Sequence, residues 1–70
     1  MSDQLQISLA AARVNANLSQ EQVASRMHVT KQTIVNWEKG RSEPKVKQAR
    51  ILSEMYGISL DHIFLPSISN

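Results

Sequence analysis

The sequence contains no cysteine. Disulfides and thiolate metal sites are therefore excluded, and an uncrosslinked domain this small must rely on helix packing, on a dimer partner, or on both. Glycine and proline are scarce, with two of each in 70 residues. Together with 41% hydrophobic and 20% charged residues, this is an ordinary globular composition and not that of a disordered chain. No run of about 18 apolar residues occurs, so no segment is expected to cross a membrane. The opening stretch MSDQLQISLAAARVNANLS has no basic leader followed by an apolar core; no signal peptide is expected, and the expected location is the cytoplasm. There is no glycine-rich phosphate loop. The two histidines, His28 and His62, stand 34 positions apart, which is no recognised metal spacing, so no metal or cofactor is expected. A chain this short buries only about 60% of its unfolded surface. That leaves no room for a layered sheet enzyme with a deep substrate pocket.

The net charge is only +2, but its distribution is uneven. Residues 26–50 carry Arg26, Lys31, Lys39, Arg41, Lys45, Lys47 and Arg50 against Glu38 and Glu43, while the flanking segments are mildly acidic. One basic segment between acidic flanks is the footprint of a polyanion contact. Charge alone leaves open the alternative of a solvated helix face.

No strand pattern is present, whereas helix start and stop signals recur at short intervals. Ser8 can cap a helix through LAAARVNA, with Leu9, Ala10 and Val14 on neighbouring turns and Asn17 as a left-handed stop. Ser19 opens QEQVASRM and forms a capping-box pattern with Gln22. After a short turn at His28 and Val29, Thr30 caps a third helix from Lys31 to Lys39, and Gly40 ends it. A fourth helix follows Pro44, with Val46, Ala49, Leu52, Met55 and Tyr56 at helical spacing up to Gly57. Ser59 caps a last short helix, LDHIFL, which Pro66 terminates. The expectation is an all-α fold of five short helices in a single domain over residues 1–70. Its core runs from about 8 to 65, residues 1–7 and 66–70 are frayed, and no ligand-binding domain is attached.

On the third helix Ile34 and Trp37 lie three apart and face one way. Lys31, Gln32, Thr33 and Asn36 are left on the outward side near the positive end of the helix dipole. Gln and Asn can pair with adenine N6/N7, Lys with guanine O6/N7, and a Thr methyl can touch the thymine methyl. Two helices joined by a tight turn, the second with a polar face, can enter a DNA major groove.

These residues carry a resemblance. The stretches LSQEQVA, VTKQTIVNWEKG, the Pro44 after a basic loop, and YGISLDHIF strongly resemble the repressor/Cro-type helix-turn-helix family, also called xenobiotic-response-element-like. Lambdoid phage repressor DNA-binding domains are its best-known members. The likeness covers roughly residues 8–65. It implies a five-helix, lambda-repressor-like domain with helices two and three as the helix-turn-helix. It also implies base reading by Lys31, Gln32, Thr33 and Asn36. Gln20 would touch a phosphate and brace the third helix, and Lys39, Arg41 and Lys45 would meet the DNA backbone. Arg13 and Glu38 match a partly buried salt bridge between helices one and three. His28 departs from the pattern, because the family commonly has Gly at that place in the turn; if the position needs positive φ, His costs more than Gly. Asn17 is a milder departure of the same kind.

Several of these residues also have structural readings. Trp37 belongs with the core. Ser19 and Thr30 are helix caps first, with a phosphate contact as a second role. Lys47 and Arg50 are expected to be solvated. Asp61 and His62 are adjacent on a helix and diverge in direction, so they form no acid–base relay, and the chain is not expected to be an enzyme. The C-terminal Ile58, Leu60, Ile63, Phe64, Leu65 and Ile68 are many apolar residues for one short helix. Either the core takes them or Ile58, Leu60, Ile63, Phe64 and Leu65 form a two-fold dimer interface, and the dimer is the favoured reading. It would set two recognition helices about one DNA turn, roughly 34 Å, apart. The resulting expectation is a sequence-specific regulator of double-stranded DNA, acting as a repressor by occupying a palindromic operator, with no small-molecule ligand. It would be controlled by concentration, a partner protein or competition for sites. The alternative is an antitoxin or adaptor that docks another protein on the same C-terminal residues.

Overall fold

The computed structural model describes residues 7–64, the side chain of Phe64 excepted. In chain order the elements are β1 (Ile7–Ser8), α1 (Leu9–Asn15), α2 (Gln20–Met27), α3 (Lys31–Lys39), α4 (Val46–Tyr56), a 3-10 turn (Leu60–His62) and β2 (Ile63–Phe64). The helix boundaries follow local chemistry. Ser8 accepts from the Ala11 N–H, Ser19 from Gln22 and Thr30 from Thr33, and the Gln22 side chain returns to the Ser19 N–H to close a capping box. At the other ends Asn17, His28, Gly40 and Gly57 all have φ between 60° and 76°. His28 therefore stands in a left-handed position where the family pattern has Gly, and it bears the steric cost that Gly would avoid.

The expected fifth helix is a correction. Among the described residues there are four α-helices, and LDHIFL yields only the 3-10 turn. Ile63 and Phe64 instead extend and pair in parallel with Ile7 and Ser8. An Ile–Phe pair suits an extended backbone, and its hydrogen bonds go to a partner at the other end of the chain instead of along a helix. Strands of two residues show no alternation, which is why none was visible. Ile7, expected in a frayed terminus, starts β1 for the same reason.

The core is one cluster of Leu9, Ala12, Val23, Ala24, Ile34, Trp37, Leu52, Tyr56 and Ile63. Two apolar expectations fail. Val14 is 59% exposed because α1 buries Leu9 and Ala12, and Val14, two residues on from Ala12, points away. Val46 is 70% exposed at the first turn of α4, whose buried stripe begins at Ala49 and continues through Leu52 and Tyr56. Ile63, expected at a dimer interface, is 6% exposed and belongs to the core, because pairing with β1 turns it inward. Ile58 also packs against the core. Of the five residues expected at the dimer interface, Leu60 is the one described as exposed; the Phe64 side chain and Leu65 lie outside the described residues, as does Ile68.

Candidate nucleic-acid interface

Helix α3 is set in place from its inner side. Ile34 is 1% exposed and Trp37 5%, so this face is committed to the core. By rotation about the helix axis, Gln32, exposed, and Asn36, half-buried, lie on the opposite side, flanked by exposed Lys31 and by half-buried Thr33, which stands one turn before Trp37. The turn from α2 is short: Val29 N–H donates to Ala24 C=O at 3.0 Å, which lets the chain reverse with only His28, Val29 and Thr30 between the helices.

A polar network fixes α3 to the rest of the domain. The Arg13 Nε donates to Glu38 Oε2 at 2.7 Å and its Nη1 to the Leu18 carbonyl at 2.9 Å, spanning α1, the following loop and α3. Gln20 Nε2 donates to Glu38 Oε1 at 2.9 Å, so the first residue of α2 holds the same carboxylate. Side-chain exposures of 14% for Arg13 and 8% for Glu38 make this a largely desolvated pair. Its second hydrogen-bond acceptor is occupied, as a buried carboxylate requires.

Tyr56 feels that network. Burial pushes its hydroxyl up to about 12, the Glu38 carboxylate pushes in the same direction, and Arg13 opposes them. A folded pKa above the unfolded value near 10 means that the native state holds the proton more tightly. The associated stability is present below pH 10 and is lost as pH rises through about 12. Tyr56 is the only tyrosine, so the ultraviolet absorbance of tyrosinate should titrate with its midpoint near 12 in the folded protein. A midpoint at the ordinary value would mean that the ring is solvated.

The outward side chains are also tied together. Gln32 Nε2 donates to Asn36 Oδ1 at 3.0 Å, the Thr30 and Thr33 hydroxyls lie 2.9 Å apart, and Lys31 Nζ meets Glu21 Oε2 at 3.1 Å. Glu21, exposed in the first turn of α2, has its carboxyl held below the ordinary range by its own backbone N–H first and by Lys31 second. Sequence reasoning did not find the Glu21–Lys31 pair. The residues are ten apart across a turn, and no helical spacing connects them. Ser19 and Thr30 spend their hydroxyls as caps. Lys39 closes α3, Arg41 follows it, and Lys45 stands at the N-cap of α4 where its backbone N–H donates to Gln48 Oε1; all three side chains are exposed. Arg41 N–H donates to the Asn36 carbonyl at 2.9 Å, which finishes the left-handed helix ending at Gly40. Among the described residues no cluster of three or more His, Cys, Asp or Glu could hold a metal ion, and no helix is long and apolar enough to cross a membrane.

A helix-turn-helix family model matches residues 9–63. An uncharacterized HTH-type transcriptional regulator of Methanocaldococcus jannaschii is 37% identical over 49 residues, 70% of this chain and 74% of that protein. The cryptic phage CTXphi transcriptional repressor RstR (Vibrio cholerae) is 34% identical over 58 residues, 83% of this chain and 52% of that protein. The HTH-type transcriptional activator BcrR of Enterococcus faecalis is 29% identical over 55 residues, covering 79% of this chain and 27% of the activator. The chain thus spans about three quarters of the archaeal relative, half of the phage repressor and a quarter of the activator. No solved structure matches it.

Proposed function

Because the chain belongs to the Cro/C1-type helix-turn-helix family of DNA-binding transcriptional regulators, we propose that it binds a specific double-stranded operator as a repressor, with α3 in the major groove. The observation that carries this reading is the division of α3 between a core face of Ile34 and Trp37 and an outward face of Gln32 and Asn36, flanked by Lys31 and Thr33. In this reading those four residues contact base edges. Ser19, Gln20, Thr30, Lys39, Arg41 and Lys45 meet phosphates and set the register of the domain on the duplex. Occupying a site that overlaps a promoter then blocks transcription. In this reading the bound form is a symmetric dimer on a palindrome, and the exposure of Leu60 leaves it available to a second copy.

Selection of random duplexes by the purified protein, followed by sequencing, tests the reading directly. An enriched inverted repeat with half-sites about 10 base pairs apart is the expected result. Enrichment of nothing, with salt-sensitive binding to every duplex, would overturn sequence-specific regulation by this chain alone and favour the adaptor reading, in which a partner protein supplies specificity.

Two substitutions separate reading from positioning. Gln32→Ala should relax or shift preference at one base position, at a cost of about 1–3 kcal/mol there; an unchanged selected motif would remove Gln32 from the base-reading residues. Arg41→Ala should weaken binding to all sequences about equally and lower the slope of log affinity against log salt by about 0.9. A loss confined to one base position would contradict a phosphate role for Arg41.

A further inference from the structure

We propose that Val35 reads the 5-methyl group of a thymine, a base contact beyond those of the polar residues on α3. The inference rests on the reading of α3 as the recognition helix. By helical rotation Val35 stands about 130° from the midline between Ile34 and Trp37, and only about 60° from Gln32. It therefore lies on the flank of the outward face. Lys31 and Lys39, one turn before and one turn after it, are exposed and continue the same row. The Gln32 amide is drawn the other way by its 3.0 Å bond to Asn36. Among the described residues, Val35 is half-buried yet belongs neither to the core cluster nor to the half-buried hydrophobics packed against it, whereas Met27 and Val29 do pack there. Helix propensity does not call for a valine either, since Ala, Lys or Gln would favour α3 more.

A valine between two lysines suits one feature of duplex DNA. The lysines draw the row toward the polyanion. In the major groove the base edges present donors, acceptors and a single apolar group, the thymine 5-methyl. Against a cytosine or purine edge, Val35 would cover a polar group and leave it without a partner. Against thymine it buries methyl on methyl. Its branched side chain has one strongly preferred χ1 rotamer in a helix, so the contact surface is fixed before binding. Val35 and Gln32 are neighbours on the helix surface, and the thymine should lie within about two base pairs of the position that Gln32 reads.

The test replaces each thymine of the selected operator in turn by uracil, which removes only the methyl, and measures binding by the wild type and by Val35→Ala. The wild type should lose about fourfold at one thymine near the Gln32 position, the worth of one methyl group removed from water. Val35→Ala should bind the thymine and uracil duplexes equally well there, and its melting temperature should hold. Equal uracil penalties in the two proteins, or none in either, would overturn the inference while the selected operator keeps the recognition-helix reading in place. A lower melting temperature with an even loss on every duplex would make Val35 a packing residue and overturn it too. A selected motif with no thymine near that position would do the same. If no operator is enriched at all, the reading of α3 fails and the inference fails with it.

Discussion

Glu38→Ala should cost about 3–5 kcal/mol of folding stability, the largest effect expected of any polar substitution in the domain. The mutation deletes the acceptor of both the Arg13 guanidinium and the Gln20 amide, which bind Glu38 at 2.7 and 2.9 Å. Arg13 is left with a desolvated charge whose remaining partner is the Leu18 carbonyl. Domains of this size hold on the order of 4–10 kcal/mol in total. The variant should therefore sit close to the edge of folding, and it should lose DNA binding for that reason alone. Urea unfolding followed through Trp37 fluorescence measures the cost. The double variant Arg13→Met with Glu38→Met separates scaffold from function, because replacing a buried pair by apolar residues of similar volume is often neutral or stabilising. Recovery of both stability and operator binding in the double variant is the expected outcome. Stability without binding would mean that the Gln20–Glu38 contact orients Gln20 for the phosphate and is more than scaffolding. A cost below about 1 kcal/mol for Glu38→Ala would place the pair among ordinary surface ion pairs, contrary to its burial.

Trp37→Ala should be comparably severe, at about 3–5 kcal/mol. Trp37 is 5% exposed in the shared cluster with Ile34, Leu52 and Tyr56, so truncation opens a cavity beneath α3 itself. The surrounding helices are short, and a small domain has little slack with which to collapse into the gap. Thermal unfolding followed by circular dichroism is the suitable measurement, since the substitution removes the fluorescence reporter. Operator binding at low temperature, where some protein remains folded, should fall in proportion to the folded fraction. If instead stability is kept and only DNA affinity is lost, Trp37 would be a stacking residue and its assignment to the core would be wrong. Gln32 and Asn36, on the other side of α3, should show the opposite balance of effects.

What the sequence determined by itself is the part written in short-range chemistry. The Ser8, Ser19 and Thr30 caps, the Gln22 return bond, and the left-handed endings at Asn17, Gly40 and Gly57 each involve groups within three to five residues. Such contacts form wherever the helix forms, so residue type and spacing are enough to place them. The split of α3 into Ile34 and Trp37 against Gln32 and Asn36 was legible for the same reason, as rotation along a helix is regular. Tertiary structure alone decided which apolar residues at helical spacing stay outside. Val14 and Val46 look like core residues until α1 and α4 settle on Ala12 and Ala49. It decided the fate of the C-terminal run too: Ile63 becomes extended and buried only because Ile7, 56 positions earlier, comes alongside it. And it brought Glu21 to Lys31 across the turn. Pairings of this kind depend on where whole helices come to rest, since closing the chain over such a distance is repaid only by the packed core, and no local periodicity records them.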